Sequence, residues 1–89
     1  MSRHSAVIGE YLHTIYRIQS HGGVVKGATL VQRLDSSPST VHATIRRMER
    51  DELVSVNERK EIQLTESGSR AAEEIAKRHN LVEYFLWHE

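Results

Sequence analysis

Apolar side chains recur at intervals of three and four residues over the first twenty positions, the spacing of one face of an α-helix. This pattern predicts a first helix from about residue 4 to residue 20, ended by Gly22 and Gly23. A short second helix is predicted over Gly27–Leu34. The inward face of the first helix is predicted to comprise Ile8, Tyr11, Leu12, Ile15, Tyr16 and Ile18, and that of the second Leu30, Val31 and Leu34.

A third helix is predicted after the polar stretch at residues 35–38. Ser37 offers a hydroxyl to cap it, and Pro38 suits its first position, where the missing N–H would have no helical partner. The helix is expected to run to about Arg50. Its buried stripe, spaced i, i+4, i+7, is predicted to be Val41, Ile45 and Met48.

The hydrophobic period then changes from helical to alternating. Leu53–Val56 and Glu61–Thr65 alternate apolar and polar residues around the charged segment Asn57–Lys60, which predicts a β-hairpin with a polar tip. A long fourth helix is predicted from Thr65 or Glu66 to the C-terminus, with an apolar side formed by Ala72, Ile75, Ala76, Leu81, Val82, Phe85 and Leu86. Three helices, a hairpin and a fourth helix are the order of a winged helix-turn-helix, a mostly α fold with a small β-hairpin (α+β).

Composition excludes several classes of function. The 89 residues include no cysteine, which excludes disulfides, thiolate zinc sites and thiol catalysis. No apolar run approaches the ~18 residues of a membrane span, and no secretory signal is visible, so a cytoplasmic protein is expected. No phosphate-binding glycine loop, HExxH motif or nucleophile triad is present. The chain is therefore not expected to be an enzyme or to bind a small-molecule substrate.

The net charge of zero conceals a strong asymmetry. Residues 1–50 carry seven Lys or Arg and three acidic residues, whereas residues 51–89 carry five Lys or Arg and nine acidic residues. With the apolar stripe of the third helix facing inward, its outer face is basic and polar, which suits the major groove of DNA. A solvated basic surface, or a winged helix that binds another protein, remains an alternative. The predicted DNA-binding residues are Ser37, Ser39, Thr40, His42, Ala43, Arg46, Arg47 and Arg50, with Arg59 and Lys60 on the hairpin tip.

Two pairs of imidazole and carboxylate side chains have the spacing of metal ligands on a helix. Glu10 and His13 are i, i+3 on the first helix, and His79 and Glu83 are i, i+4 on the fourth. Nitrogen and oxygen donors without sulfur suit Mn²⁺, Fe²⁺, Co²⁺ or Zn²⁺. Such spacings also arise by chance in a chain with six histidines and 12 acidic residues, where they are usually surface hydrogen bonds.

The sequence resembles the metal-dependent repressors of the diphtheria toxin repressor family, which includes the manganese transport regulators. The resemblance covers nearly the whole chain. It is carried most specifically by Glu10–Tyr16, Ser37–Val41, Arg46–Leu53, Leu64–Gly68 and Arg78–Glu83.

The resemblance implies a cytoplasmic repressor that binds double-stranded operator DNA as a homodimer when loaded with Mn²⁺ or Fe²⁺, with Zn²⁺ or Co²⁺ able to replace them in vitro. It also implies ligands residue by residue. Glu10 stands at a ligand position that is methionine or aspartate in the two subgroups, and His13 at a glutamate position of the manganese type. His79 matches a histidine ligand of both subgroups, and Glu83 an acidic ligand of the iron type.

Two departures from the family pattern affect these expectations. Histidine at position 13 copies neither ligand set, so the metal preference is open. Family members also continue beyond Glu89, where further ligands and most of the dimer interface are expected. We therefore expect residues 1–70 to form the DNA-binding domain and residues 71–89 to begin the metal-binding and dimerisation region. A winged-helix DNA-binding regulator without metal control, or a partner-binding module, is the alternative function.

Overall fold

The computed structural model describes the backbone of residues 6–87 and the side chains of residues 6–77. The predicted order of helices, hairpin and helix is confirmed. The first helix is described from Ala6, so its predicted start at residue 4 lies outside the described residues. The elements are α1 (Ala6–Ser20), α2 (Gly27–Leu34), α3 (Pro38–Arg50), β1 (Val54–Val56), β2 (Ile62–Leu64) and α4 (Glu66–Trp87).

A single apolar core lies between the helices and the hairpin. The predicted inward residues of α1 are buried except Tyr16, which is half-buried at the edge of the core. Leu30 is the buried residue of α2, whereas Val31 and Leu34 are half-buried because this short helix lies at the periphery. The complete stripe predicted on α3, namely Val41, Ile45 and Met48, is buried.

The hairpin is shorter than the sequence pattern predicts, and it gains a partner that the pattern does not reveal. Two predicted strand residues, Leu53 and Thr65, lie at the helix junctions instead. The Leu53 N–H donates to the Met48 carbonyl, and the Thr65 N–H donates to the Leu53 carbonyl. Val54 pairs with Leu64 and Val56 with Ile62 in the antiparallel register. Ile62 N–H also donates to the Val25 carbonyl at 2.8 Å, which anchors the hairpin to the segment before α2.

Helix α4 runs antiparallel to α1 and closes the core on that side. At one end the Leu64 N–H donates to Gln19 Oε1 at 3.3 Å, and at the other Gly9 lies against Ile75. Ala72 is fully buried, whereas Ile75 and Ala76 are half-buried. The side chains of Leu81, Val82, Phe85 and Leu86 lie outside the described residues.

The expected division after residue 70 falls inside α4. Ala71, Ala72 and Ile75 belong to or pack against the same core as α1. The separate role of residues 71–89 therefore stays a prediction about function. Among the described residues, no helix combines the length and apolar character needed to cross a membrane.

Candidate nucleic-acid interface

The turn that precedes α3 fixes where its first residues lie. Asp35 takes a left-handed conformation (φ 52°) that ends α2. Ser37 then caps α3 as predicted: its hydroxyl accepts from the Thr40 N–H at 3.2 Å and donates to Thr40 Oγ1 at 2.8 Å. Pro38 occupies the first turn. A capped, rigid helix start leaves the remaining first-turn N–H groups pointing outward, where they favour an anion.

The face of α3 opposite the core is solvent-exposed along its whole length. Val41, Ile45 and Met48 are only 3%, 6% and 0% exposed. Their burial fixes the rotation of the helix, so the residues between them project together away from the core. Each DNA-contacting residue predicted on or before this helix is exposed: Ser37, Ser39, Thr40, His42, Ala43, Arg46, Arg47 and Arg50.

The cationic side chains of this face form no ion pair with the acidic side chains that the structure describes. In the part of the chain whose side chains are described, the one ion pair joins Arg70 to Glu66 on α4, at 2.9 Å. Arg46, Arg47 and Arg50 therefore carry charges that are available to a phosphate or a base edge. Thr44, by contrast, is half-buried and donates to the Thr40 carbonyl at 2.8 Å.

The hairpin tip is a turn organised by Asn57. Its Oδ1 accepts from the backbone N–H of Arg59 and of Glu61, each at 2.9 Å, and its Nδ2 donates to Glu61 Oε1 at 2.9 Å. The Lys60 N–H donates to the Asn57 carbonyl, and Lys60 itself is left-handed (φ 64°). This geometry is a three-residue hairpin loop rather than the two-residue Asn-Gly type. Arg59 and Lys60 are exposed on it, as predicted.

A groove of about 880 Å³ separates α3 from the hairpin and is bounded on a third side by α2. Its floor is apolar and includes Val41, Ile45 and Ile62, and its lining also includes the predicted DNA contacts His42, Arg46 and Lys60. Two acidic members of the lining, Glu49 and Glu58, are not among the residues predicted from the sequence. Glu49 follows His42 by seven residues, so helical periodicity alone could have placed it on this side.

The structure describes only half of the predicted metal-ligand set in full. Glu10 is exposed and His13 is half-buried, one turn apart on α1. The side chains of His79 and Glu83 lie outside the described residues, although the backbone there is helical. Within the side chains that the structure describes, no group of three or more histidine, cysteine or acidic residues could hold a metal ion.

The backbone nevertheless defines the level of each predicted ligand, meaning its position along the axes of the antiparallel helices α1 and α4. An added Cβ on Gly9 would be 3.6 Å from Ile75 Cδ1, so Glu10 is near the level of Ile75. His79 follows Ile75 by one helical turn and Glu83 by two, or about 6 Å and 12 Å along α4. Glu10 and His79 are therefore closer in level than Glu10 and Glu83.

The chain is similar in sequence to iron-dependent repressors. The chain is similar to the iron-dependent repressor IdeR of Mycobacterium tuberculosis, with 40% identity over 76 residues that cover 85% of this chain and 33% of that protein. It is 38% identical to the diphtheria toxin repressor of Corynebacterium diphtheriae over 85% of this chain and 34% of that one. The chain thus spans about a third of the length of these relatives.

Solved structures support the fold. MepR, a transcription regulator from Staphylococcus aureus, matches 94% of this chain with 64% of its own, at a TM-score of 0.75 and 23% identity. MepR in complex with DNA matches 93% of this chain and 62% of that one, with a TM-score of 0.72 and 25% identity. These neighbours have the winged-helix fold, which confirms the predicted fold class.

The family and these neighbours are transcription regulators rather than enzymes, as the sequence predicts. Residues 4–62 match the family described as iron dependent repressor, N-terminal DNA binding domain. This match covers most of the chain and the whole of α2, α3 and the turn between them. The chain belongs to the iron-dependent repressor family, and the matched residues correspond to its N-terminal DNA-binding domain.

Proposed function

We propose that this chain binds double-stranded operator DNA by placing α3 in the major groove and the hairpin against the neighbouring backbone, as part of a metal-dependent repressor. The observation that carries the proposal is the exposed face of α3, on which Arg46, Arg47 and Arg50 have no acidic partner among the described residues. The family match and the DNA complex of MepR support the same conclusion.

The two ends of α3 have different roles in this mechanism. Ser39, His42 and Ala43 lie in its first half, where a recognition helix approaches base edges. The small side chains permit close approach, the imidazole offers a hydrogen bond, and the Ala43 methyl can contact a thymine methyl. Arg47 and Arg50 lie in the last turn, where phosphates are closer than bases. Arg46, between these groups, is proposed to reach a guanine or a phosphate.

Hydroxyls at the helix start position the protein on one strand. Ser37 is already engaged with Thr40 through its cap, so the Thr40 hydroxyl can donate its own proton outward to a phosphate oxygen. The exposed Arg59 and Lys60 are proposed to contact backbone phosphates beside the same groove. These contacts carry no base information and fix the register of α3.

Metal dependence is proposed through Glu10, His13, His79 and Glu83, with Mn²⁺ or Fe²⁺ as the physiological ion and Co²⁺ or Zn²⁺ as replacements. The donor set of carboxylates and imidazoles suits these ions. The helix levels favour Glu10 and His79 as the pair that joins α1 to α4, with Glu83 one turn further away. When bound, the ion would link the two helices and oppose their separation.

The physical basis of control is thermodynamic linkage. Helix α4 packs on α1 and begins two residues after β2, so a change in the α1–α4 angle would reorient any partner that α4 contacts. We propose that the repressor acts as a homodimer and that residues 71–89 begin its dimerisation region. Metal that favours one spacing between two α3 helices, and DNA that requires this spacing, must each strengthen the binding of the other by the same factor.

The test is DNA binding by Arg46→Ala and Arg50→Ala variants, measured by fluorescence anisotropy on a duplex that the unmodified protein selects from a random pool. Removing an arginine that reads a base should weaken binding to that duplex by ~1–3 kcal/mol and relax the base preference at one position. Removing an arginine that contacts only phosphate should weaken binding to every duplex and reduce the salt dependence of the affinity. Arg70→Ala on α4 is the matched control, and unchanged affinity in the double variant would contradict the proposal.

Adding Mn²⁺ or EDTA to the same assay separates the candidate functions. A metal-dependent repressor loses affinity for the selected duplex in EDTA and recovers it with Mn²⁺. A regulator without metal control binds equally well in both. A winged-helix module that binds another protein selects no duplex in either condition.

A further inference from the structure

Two carboxylates lie in the groove between α3 and the hairpin, among the cations that are proposed to bind DNA. Glu49 is exposed on α3, and Glu58 is exposed at the hairpin tip. Both line the groove together with Arg46 and Lys60. The groove therefore contains two acidic and two basic side chains, on a surface whose proposed ligand is a polyanion.

Within residues 6–77, neither carboxylate has a side-chain partner that would explain its position. Among the described side chains, the only ion pair is on α4, and neither the Glu49 nor the Glu58 carboxylate is in a hydrogen bond. Glu61 is different, because its Oε1 accepts from Asn57 Nδ2 at 2.9 Å and so helps to hold the turn. Glu49 and Glu58 thus place carboxylates on the groove lining that are not paired with a cation among the described side chains.

An unpaired carboxylate beside a phosphate-binding cation opposes phosphate binding. Repulsion between two unit charges a few ångströms apart in water is about as strong as the attraction that one surface cation supplies. It declines over a Debye length of about 8 Å at physiological salt, so only phosphates that enter the groove are affected. Base-edge contacts by the first half of α3 involve no phosphate charge and are affected least.

Resting on the proposed function, we infer that Glu49 and Glu58 are specificity-determining residues that weaken sequence-independent binding to DNA. Non-specific affinity comes almost entirely from phosphate contacts, whereas specific affinity adds contacts to bases. Two acids placed among the phosphate-binding cations lower the first contribution more than the second. Both kinds of binding lose phosphate affinity, and DNA is retained only where contacts to bases that match α3 supply the remainder.

Charge-neutralising substitutions test this inference with little change in shape. Glu49→Gln, Glu58→Gln and the double variant are compared with Glu73→Gln, which removes the same charge from an exposed position on α4 outside the groove. Affinity is measured by fluorescence anisotropy on a random-sequence 30-base-pair duplex (a length of about three helical turns) and on the duplex selected by the unmodified protein. Thermal unfolding confirms that each variant is folded.

We expect each groove variant to bind the random duplex about three- to five-fold more tightly than Glu73→Gln does, as one close surface charge predicts. Binding to the selected duplex should tighten by at most the same factor, because its phosphate contacts are shared with the random duplex. Equal affinities of the groove variants and Glu73→Gln for the random duplex would overturn the inference. So would a loss confined to the selected duplex, because it would mean that a carboxylate accepts a hydrogen bond from a base.

The proposed function has a separate control in the same experiment. Arg46→Ala combined with Lys60→Gly removes the cations of the groove. If that variant loses affinity for the random duplex while the glutamine variants match Glu73→Gln, the DNA-binding proposal stands and only the role of the acids is wrong. If none of these variants changes DNA binding, the groove is not part of the interface.

Discussion

The hydroxyl of Thr65 donates to the Glu52 carbonyl at 2.6 Å and accepts from the Gly68 N–H at 3.0 Å. A single side chain thus joins the end of α3 to the start of α4. Glu52 is left-handed (φ 62°), and the following Leu53 N–H donates back to Met48, which ends the helix. The direction of α3 relative to α4 is therefore held by local hydrogen bonds as well as by the core.

Replacing Thr65 by Val should destabilise the fold, because it keeps the shape of the side chain but removes the hydroxyl. Loss of a helix cap costs about 0.5–2 kcal/mol, and the Glu52 carbonyl loses a partner as well. We expect the free energy of unfolding to fall by about 1–2 kcal/mol in urea denaturation. Thr65→Ser keeps the hydroxyl and should lose much less; equal losses in the two variants would show that the hydroxyl contributes nothing.

Replacing Gly68 by Ala should destabilise the fold, although alanine favours a helix more than glycine does. A Cβ at this position would overlap the Leu53 carbonyl oxygen and lie 3.2 Å from Leu64 Cδ2, and the contact with a backbone atom cannot be relieved by a rotamer change. Overpacking of this kind costs about 1–3 kcal/mol. Gly27→Ala is the control, since a Cβ there meets nothing within 4 Å. The melting temperature should fall for Gly68→Ala and stay unchanged or rise for Gly27→Ala.

The hairpin tip should contribute affinity for DNA without contributing specificity. Replacing Arg59 by Ala and Lys60 by Gly removes both charges, and glycine at position 60 keeps the left-handed backbone without strain. We expect weaker binding to selected and random duplexes alike, with the slope of log K against log salt reduced by about 1–2. Lys77→Ala on α4 serves as the charge control. A loss limited to the selected duplex would mean that the tip reads bases.

Metal binding should depend on His79 and on pH. His79→Ala should weaken the binding of Mn²⁺ and Fe²⁺ in calorimetry, because one nitrogen donor is lost. Binding should also weaken as the pH falls below about 6, since protons compete with the metal for imidazole nitrogen. Glu73→Ala provides an acidic control on the same helix. If His79→Ala binds both ions as tightly as the unmodified protein, the proposed ligand set is wrong.

Local sequence patterns predicted most of the fold. The stripe Val41, Ile45 and Met48 has the helical period, and Ser37 followed by Pro38 marks a helix start by chemistry that acts within a few residues. The outward face of α3 followed directly, because burial of one stripe determines the rotation of the helix. The hairpin was recognisable from its alternation, although its ends were not.

Contacts between distant segments could not be predicted in this way. The Val25–Ile62 bridge joins residues that no period connects, and the position of Glu58 across the groove from Arg46 depends on how the hairpin packs on α3. The sequence alone determined which residues form each helix and which face of α3 is polar, since propensity, capping and hydrophobic period act over one or two turns. Only the tertiary structure decided that Glu49 and Glu58 lie in one groove with Arg46 and Lys60, and that Gly68 lies against the Leu53 carbonyl, because close packing of separate elements sets those distances.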